Sequence, residues 1–487
     1  MGEAFDEGYS LIVKLNEACL LELDYDFTED YVKLHDVIRD MALWIVSECG
    51  KKKNKWIVGG RDDDLGQFSK WEAGNWQETE LISFNGTLFG NSVQKFLSNK
   101  NIDEKCQVSV AATSPRYPNL QSLFMVENSG CGIEKDEVLV IHLFPHMPSL
   151  THLNLSGANI SGLSKEIQVL VNLQYLNISA TSIRSLPPEL EELKQLKYFF
   201  FSHPYFVSEG GLVPIKADGL SALSRLPELH VLDLYEHTCL EAGDLRILMD
   251  RKRIKAISMD VELVEILRLL KDLPTWKINL RNIHDMPTLQ LCDLSYKCDG
   301  ESLMELQISD CGFEDLLING SGVSLKHLQL NGLAKLKQIT RPAEAFRNGC
   351  FPKLTYVSIS DCDSLRSLSW VLHLPCLRTL QAWDCSAIEE LIDPREMQQA
   401  SSGLPTFPNL HLLFLYSMPN LVSLSTCSLD FPVLSVLMLK RCPKLKKLPF
   451  KSSIVNNKLK IVDIDGDLWE SLEWEDTTIR SHLAKFL

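Results

Sequence analysis

The sequence is short of positive charge and has no long apolar run. Its 487 residues include 49 Lys and Arg against 64 Asp and Glu, which gives a formal net charge of −15. Because nucleic-acid binding requires concentrated positive charge, this balance argues against a surface that mainly binds phosphates. No apolar run approaches the roughly 18 residues of a transmembrane helix, and no basic segment followed by an apolar core opens the chain. We therefore expect no signal peptide, no transmembrane segment and a cytoplasmic location.

Motifs of metal and catalytic sites are also missing. The 14 cysteines include no C-x-x-C pair of the kind that binds zinc, and no Ser or Cys nucleophile stands in a recognisable catalytic motif. The phosphate-binding pattern G-x-x-x-x-G-K-[ST] does not occur anywhere in the chain. We therefore predict a protein that has no metal site, is not an enzyme and does not bind ATP by itself.

What the sequence does have is an internal repeat. The pattern L-x-x-L-x-L begins at Leu150 and returns at Leu173 and Leu196, a spacing of about 23 residues that matches the leucine-rich repeat. Further copies begin at Leu120, Leu229, Ile254, Leu303, Leu325, Leu354, Leu377, Leu410, Leu434 and Leu459. The last two apolar residues of each copy lie on one face of a short strand, which only stacked neighbours can bury. The sequence thus predicts an α/β leucine-rich-repeat solenoid, or horseshoe.

The first 48 residues follow a different pattern. Tyr31–Leu34 has the character of a strand, and residues 8–22 have that of an amphipathic helix. A second amphipathic helix begins at residue 36, and its apolar face carries Val37, Ile38, Met41, Trp44 and Ile45. We assign four regions: a small module at 1–48, a linker into the repeats at 49–78, the leucine-rich-repeat domain at 79–464 and a C-terminal capping segment at 465–487.

Four cysteines occupy one position of the repeat. Each falls three residues after the last apolar strand residue: Cys311, Cys362, Cys385 and Cys442. A buried thiol there packs as a small apolar group and can donate a weak hydrogen bond to carbonyls of the turn. Because a solenoid separates these thiols by one or more repeats, we predict a structural role and not a redox or metal cluster.

Four segments, read in chain order, carry a further signal. They are residues 8–22 (GYSLIVKLNEACLLE), 32–48 (VKLHDVIRDMALWIVSE), 147–163 (MPSLTHLNLSGANISGL) and 465–476 (DGDLWESLEWED). The first two resemble the winged-helix segment and the end of the nucleotide-binding NB-ARC module of one family. The last two resemble that family's early repeats and closing segment. The family is the coiled-coil NB-ARC leucine-rich-repeat disease resistance proteins, which are intracellular immune receptors of plants.

The resemblance implies a nucleotide sensor near residue 35. In that family a Met-His-Asp triplet contacts the phosphate of bound ADP, and the matching triplet here is Leu34-His35-Asp36. By resemblance, residues 1–48 are a winged-helix remnant of the NB-ARC module, in which His35 and Asp36 are candidate nucleotide-binding residues. ADP or ATP would be the cofactor of the full-length family, and this chain alone would have none. The same two residues can also simply begin a helix.

The candidate partner-binding residues lie between the ladder leucines. Such residues point onto the concave sheet, the usual binding face of a solenoid, and Tyr and Trp are enriched in binding hot spots. The large aromatic residues at these positions are Tyr175, Tyr198, Phe200, Tyr235, Trp383, Phe414 and Tyr416. Two other interpretations are open: neighbouring aromatics can shield one another, or the register can be wrong by one residue.

The sequence contains two lysine-rich runs, and each run has two possible roles. Residues 51–55 can form a solvated linker or contact DNA, and the cations at 440–451 can serve solubility or dock an acidic partner.

By resemblance the chain is a plant innate-immunity receptor whose repeats sense a pathogen effector or a guarded host protein. The alternative is a leucine-rich-repeat adaptor or substrate receptor, for example in ubiquitin ligation.

Overall fold

The computed structural model describes the chain in segments. The described residues are 14–15, 21–25, 30–34, 36–49, 51, 55–59, 76–85, 117–126, 139–141, 144–158, 160–183, 185–202, 222–239, 242–250, 253–294, 303–317, 324–340, 351–393, 407–450, 454, 459–474 and 476–486. The chain divides into two compact units, Met1–Ile257 (unit 1) and Ser258–Leu487 (unit 2). Both units are built on short parallel strands that recur along the chain.

Unit 1 opens with an antiparallel pair of strands. Strand β1 (Leu21–Tyr25) pairs with β2 (Asp30–Leu34), so that Leu21 lies opposite Leu34. The predicted strand at Tyr31–Leu34 is therefore confirmed. The predicted helix over residues 8–22 is wrong at its end, since Leu21 and Glu22 belong to β1. The run Leu-Glu-Leu-Asp-Tyr alternates apolar and polar residues, which suits a strand once β2 is present to pair with it.

A helix follows at the predicted position. Helix α1 covers Asp36–Val46, and three residues of its predicted apolar face are exposed in this structure. Met41, Trp44 and Ile45 have 54%, 56% and 61% of their surface accessible to solvent. The helical periodicity is therefore confirmed, whereas the burial that such a stripe normally implies is not observed.

The rest of unit 1 contains further strands, one longer helix and several 3₁₀ turns. The strands are β3 (Trp56–Gly59), β4 (Leu81–Asn85), β5 (Ser122–Val126), β6 (Leu139–Ile141), β7 (His152–Asn154), β8 (Ile160–Leu163), β9 (Tyr175–Asn177), β10 (Tyr198–Phe200) and β11 (Val231–Cys239). The helical segments are Trp76–Glu78, Phe144–His146, Lys165–Val169, Pro188–Glu192 and α2 (Ala242–Asp250). In the order β3, β4, β5, β7, β9, β10 and β11, each strand pairs in parallel with the next.

The repeated leucines of unit 1 explain this ladder. Leu153, Leu176, Phe199 and Leu232 are aligned as partners on successive strands, and none is more than 1% exposed. Each fully buried side chain of this size contributes about 1.5–3 kcal/mol through the hydrophobic effect. The alignment arises because every repeat presents its apolar residue at the same point of its strand, so the predicted repeat is confirmed in unit 1.

The ladder begins earlier than the sequence predicts. Strand β3 pairs with β4 and places Ile57 opposite Ile82, with 8% of Ile57 exposed. It lies inside residues 49–78, the predicted linker that leads into the repeats, so Trp56–Gly59 of this segment already forms a rung of the ladder. The short run Trp-Ile-Val carries no complete L-x-x-L-x-L copy, yet one buried isoleucine is enough to continue the rung.

Unit 2 contains a longer ladder and a second, smaller sheet. Its strands are β12 (Ala256–Val261, in which the division between units falls), β13 (Thr275–Arg281), β14 (Thr288–Gln290), β15 (Glu305–Ser309), β16 (Asp315–Leu317), β17 (His327–Asn331), β18 (Gln338–Thr340), β19 (Tyr356–Ser360), β20 (Thr379–Trp383), β21 (Leu412–Tyr416), β22 (Val436–Lys440) and β23 (Ile461–Ile464). Its helical segments are α3 (Val264–Leu267), Leu270–Asp272, Leu291–Leu294, Ser369–His373, α4 (Gly466–Ser471) and α5 (Thr477–Leu483).

The ladder of unit 2 runs from β13 to β23 in strict parallel register. It follows the order β13, β15, β17, β19, β20, β21, β22 and β23, while β14, β16 and β18 form a separate parallel sheet. Buried and partly exposed residues alternate along β17, β20, β21 and β22. One side of each strand therefore faces the core and the other side carries the residues between the leucines, as the period-two pattern predicts.

The residue that follows the strand often adopts a left-handed backbone conformation. This position has a φ between 52° and 65° at Asn282, Asp310, Gly332, Asp361, Asp384, Ser417 and Arg441. Asn, Asp and Gly tolerate this region best, because their short or absent side chains avoid the clash that penalises other residues. The turn after each strand thus selects a small set of residue types.

The four predicted cysteines follow these turn residues and are buried. Their Sγ atoms lie near the carbonyl oxygen two residues earlier, at 3.3 Å in Cys311, 3.3 Å in Cys362, 3.4 Å in Cys385 and 3.2 Å in Cys442. Each thiol can donate a weak hydrogen bond to the end of its own strand while its sulfur packs in the core. The burial and the weak hydrogen bond predicted for this position are confirmed.

These contacts predict slow alkylation of the four thiols in the folded protein. Burial is the main cause that raises the pKa of Cys311 and of Cys442 to about 11, so roughly one thiol in a thousand is ionised at pH 8. Cys49 and Cys427 are exposed and should react first with iodoacetamide, as peptide mass spectrometry can measure. Equal labelling of Cys442 and Cys427 without denaturant would contradict the buried ladder.

The C-terminal segment covers the last strand of unit 2. Helix α5 follows Asp476, whose carboxylate accepts a hydrogen bond from the Thr478 backbone N–H at 2.8 Å. Leu483 is fully buried, and the Val462 N–H of β23 bonds to the Phe486 carbonyl at 3.4 Å. Without this segment the terminal repeat would expose its apolar rung and an open strand edge. The segment therefore acts as a cap.

Candidate functional site

The outward-facing residues of unit 2 form columns across its ladder. They alternate with the buried residues, and parallel pairing aligns each with its counterpart on the next strand. Gln381 is aligned with Phe414, and Trp383 with Tyr416. Side chains from repeats that are distant in sequence are thus neighbours on one surface, which we call the ladder face.

The ladder face is apolar on β21 and at neighbouring positions of β20 and β22. Six partly exposed side chains, here called the aromatic patch, are Trp383, Leu412, Phe414, Tyr416, Val436 and Met438. The ring centroids of Trp383 and Phe414 lie 6.4 Å apart in an edge-to-face contact, and those of Phe414 and Tyr416 lie 6.2 Å apart with planes 10° from parallel. The structure thus brings three predicted partner-binding residues together. Their rings shield one another only in part, because all three keep solvent-accessible surface.

Cationic side chains border the aromatic patch on one side. The Arg441 guanidinium carbon lies 5.2 Å from the centroid of the Tyr416 ring, a cation–π contact. Lys440, aligned with Tyr416, places its Nζ 2.5 Å from Asp463 and 3.6 Å from Asp465. The hydrogen bond to Asp463 raises the pKa of Lys440. The cations at this edge are therefore held by partners within the chain.

The rest of the second lysine-rich run is also partly engaged. The Lys444 Nζ donates to the Asn420 side-chain oxygen at 2.6 Å, and Lys447 lies 3.8 Å from Glu473. Lys451 falls outside the described residues. Contacts of this kind use the cations within the chain, which favours the solubility interpretation over docking of an acidic partner.

Three aspartates lie in the turns at the ends of the strands, and Asp384 directly follows Trp383 of the aromatic patch. Asp310, Asp361 and Asp384 occupy the turn position after β15, β19 and β20, and we call them the acidic row. Their backbone N–H groups bond to the carbonyls of Asn331, Trp383 and Tyr416 at 2.9, 3.2 and 3.1 Å. Burial is the first cause that raises the pKa of Asp361, and the charges of Asp384, Asp363 and Asp310 raise it further. These carboxylates are therefore close enough to repel one another.

Sequence reasoning missed the acidic row, although a signal was present. Each aspartate directly precedes one of the predicted cysteines, in Asp310-Cys311, Asp361-Cys362 and Asp384-Cys385. The dipeptide recurs because the turn needs a residue that accepts a left-handed backbone next to a small buried thiol. The accumulation of charge on one edge appears only when the strands are aligned.

The ladder face is polar on the strands that precede the aromatic patch. Glu305 lies 2.7 Å from the Lys277 Nζ and 3.5 Å from the His327 Nδ1. Burial works to raise the pKa of Glu305, but His327 and Lys277 outweigh it and the pKa is lowered. Farther along, the Tyr356 hydroxyl donates to the Gln381 side-chain oxygen at 3.1 Å. These side chains satisfy one another and leave the patch as the main apolar area.

Three more predicted residues lie together in unit 1. The ring centroid of Tyr175 is 6.5 Å from that of Tyr198 and 5.3 Å from that of Phe200, and His152 lies 6.2 Å away on the other side. Tyr198 is 40% exposed. Burial is the main cause that raises the pKa of Tyr175. This cluster is a second, smaller candidate surface, and it contains tyrosine hydroxyls.

The fourth predicted residue of unit 1 is placed differently. Tyr235 is partly buried on β11, and its backbone N–H donates to the Asp233 side chain at 3.1 Å. Unit 1 also has an open groove of about 830 Å³. Its lining is mostly polar: Gln121, Ser149, Thr151, Val171, Asn172, Gln174, Glu192, Lys194 and Gln195. No arrangement of a nucleophile, a base and an orienting carboxylate is present among these lining residues.

The structure describes only the backbone of one of the two predicted nucleotide-sensor residues. His35 lies outside the described residues. Asp36 is the first residue of helix α1, and its side chain is likewise not among those described. Their assignment stays a prediction. Within the described segments, no group of three or more His, Cys, Asp or Glu could hold a metal ion, and no helix is long and apolar enough to span a membrane.

Solved structures resemble the chain at low similarity. A leucine-rich-repeat protein of Leptospira interrogans shares 17% identity, with 75% of this chain and 92% of that one covered, at a TM-score of 0.35. The functional domain of InlJ from Listeria monocytogenes shares 16% identity, with coverage of 66% and 65% and a TM-score of 0.35. The strand ladder itself defines the fold.

Sequence relatives are more informative. The family model "Plant disease resistance protein RPS2-like, leucine-rich repeats" matches residues 324–465. Three Arabidopsis thaliana proteins match 97–98% of the chain: probable disease resistance protein At1g12290 (28% identity), putative disease resistance protein At4g10780 (29%) and disease resistance protein RPS5 (28%). The chain spans 48–49% of the length of these relatives. It is therefore a homologue of the plant disease resistance proteins, and it contains leucine-rich repeats of their kind.

Proposed function

We propose that this chain acts in plant innate immunity as the recognition part of a receptor. Its leucine-rich repeats would sense a pathogen effector, or a host protein that the effector modifies, by direct binding and without catalysis. The observation that carries this proposal is the aromatic patch, which lies on the ladder face within the residues matched by the resistance-protein repeats. At this patch the chain would recognise its partner by protein–protein binding.

The patch has the physical character of a binding hot spot. Trp and Tyr side chains dominate protein interfaces when they enter well-packed, desolvated pockets. Here Trp383, Phe414 and Tyr416 already touch one another, so less conformational entropy is lost when a partner covers them. Exposed apolar patches on a monomeric protein are also uncommon unless they bind something.

The route from binding to response rests on the family resemblance. In a receptor that also contains a nucleotide-binding module, a bound effector would activate only if it favoured one of two receptor states. His35 and Asp36 are the residues of this chain that would hold the nucleotide phosphate and the adjoining hinge. Cytoplasmic location and ADP binding by the full-length protein belong to the same proposal.

Resistance in the plant tests this function. Disruption of the gene should remove resistance to at least one isolate in a panel of bacterial, fungal and oomycete pathogens. The intact gene should restore it, and Trp383→Ala with Tyr416→Ala should not, since truncation of a hot-spot aromatic costs about 2 kcal/mol or more. Per residue, that is roughly a 30-fold loss of affinity.

A matched control keeps this test specific. Val422 is an apolar residue of unit 2 with 44% of its surface exposed, and it lies outside the ladder strands. Val422→Ala should restore resistance like the intact gene. Full restoration by the Trp383→Ala, Tyr416→Ala variant would contradict the assignment of the patch. Unchanged resistance across the panel after gene disruption would contradict an immune function and favour the adaptor alternative.

A further inference from the structure

The acidic row is not required by the fold. The same turn position is occupied by Asn282, Gly332 and Ser417 in other repeats of unit 2, all with the same left-handed backbone. Neutral residues therefore satisfy the turn as well as aspartate does. The left-handed turn therefore explains why aspartate suits this position, but it does not by itself require a negative charge.

The row also differs from other acids of unit 2 in its charged neighbours. Among the described residues, no Lys or Arg lies within salt-bridge distance of Asp310, Asp361 or Asp384, although other acids of unit 2, such as Glu305 and Glu314, have a lysine partner. Burial, and after it the charges of Asp384, Asp363 and Asp310, raise the pKa of Asp361. An arrangement of like charges destabilises the free protein and becomes favourable when a cation arrives.

The row and the aromatic patch form one continuous surface. Asp384 directly follows Trp383 in the chain, and Asp361 bonds through its N–H to the Trp383 carbonyl. Neighbouring strands of a sheet lie roughly 4.8 Å apart, so Asp361 and Asp384 are one strand step from each other. A ligand side chain that covers Trp383 will therefore place its flanking residues beside these carboxylates.

We propose that this surface binds a protein segment in which a bulky apolar side chain is flanked by lysine or arginine. The apolar side chain lies on the aromatic patch, and the flanking cations pair with the acidic row. At the β22 end of the patch, Asp463 and Asp465 already pair with Lys440, so the flanking cations pair with the acidic row beside β19 and β20. This rests on the proposed function and names the chemistry of the partner that the receptor recognises.

Peptide probes test the charge preference directly. One fluorescent peptide carries a tryptophan and a leucine flanked by lysines, and its counterpart carries glutamates in place of the lysines. Binding to the full chain is followed by fluorescence anisotropy at low and at physiological salt. We expect the lysine probe to bind more tightly than the glutamate probe, with an affinity that falls as salt screens the contact.

Variants of the row locate the effect. Asp361→Asn with Asp384→Asn should weaken the lysine probe by roughly three- to tenfold, the range expected for two partly exposed charge pairs, and should flatten the salt dependence. The fold should persist, because Asn282 occupies the same turn position. Trp383→Ala should weaken both probes.

A control with the same change in net charge separates the row from the overall charge of the chain. Glu265→Gln with Asp272→Asn removes two exposed acids on the helical connection between β12 and β13, outside the ladder face. It should leave binding unchanged.

Three results would overturn the proposal. The first is equal affinity of the two probes, and the second is an equal loss of lysine-probe affinity in this control. The third is self-association in sedimentation that the Asp361→Asn, Asp384→Asn variant abolishes, which would make a second copy the occupant. None of these results bears on the plant resistance test, so the proposed function and this partner chemistry can fail separately.

Discussion

Replacing Leu380 by alanine should lower the free energy of unfolding by about 2–5 kcal/mol, the range measured for buried leucines in other proteins. Leu380 is fully buried and is aligned with Val357 on one side and Leu413 on the other. Its truncation leaves a cavity within a rung whose neighbours are held by short strands. The loss combines the transfer free energy of the missing atoms with the cavity that remains.

Because each repeat contacts mainly its neighbours, the effect should be local in space. Hydrogen exchange should become faster in β19, β20 and β21 and change less in β13. Chemical denaturation measures the overall loss of stability. Leu263→Ala is the matched control, since Leu263 is 55% exposed and the same substitution there should change the stability by less than about 0.5 kcal/mol. An equal loss at both leucines would show that the ladder is not the core.

The ladder could be predicted from the sequence because one rule generates it. An apolar residue at every second strand position, repeated at a regular spacing, determines which side of the strand is buried and which residues become partners. Leu328, Val357 and Leu413 are far apart in sequence and still fall on one rung. The same rule gave the register of the aromatic residues, so the outward-facing positions of Trp383 and Tyr416 could be predicted from the sequence.

The sequence prediction was incomplete where no such repetition exists. Leu21 and Glu22 extend an apparent helix, but their partner strand turns them into β1. Trp56–Gly59 is too short to match the repeat, and pairing with β4 alone makes it part of the ladder. In both cases a neighbouring strand decides the conformation. A periodicity read from a single short segment cannot contain that information.

The charges around the aromatic patch were hidden for a similar reason. Asp310, Asp361 and Asp384 are separated by many residues, and each is an ordinary turn aspartate. Their mutual repulsion comes from alignment of the strands. In such a case the sequence shows only a recurrent Asp-Cys dipeptide. The accumulation of negative charge is seen once the repeats are folded and their strands are aligned.

Loss of the Arg281 side chain is the second substitution for which we expect a large effect. Asp260 is 2% exposed, and its carboxylate lies 3.1 Å from an Arg281 nitrogen and 3.3 Å from the Asn279 amide nitrogen. Arg281→Met would leave a buried carboxylate without its cation and should cost about 3–5 kcal/mol. The double variant Asp260→Leu, Arg281→Met should lose much less, because neither charge is then stranded.

A double-mutant cycle by chemical denaturation measures this coupling, since residues in direct contact show non-additive losses. Additive losses in the two single variants would contradict the ion pair. Asp260, Asn279 and Arg281 are on β12 and β13, whereas the aromatic patch is on β20 to β22 of the same unit. The buried Asp260 is neutralised by Arg281, whereas no Lys or Arg among the described residues lies within salt-bridge distance of the acidic row. This difference in how charge is satisfied favours the patch end of unit 2 as the part that meets a partner.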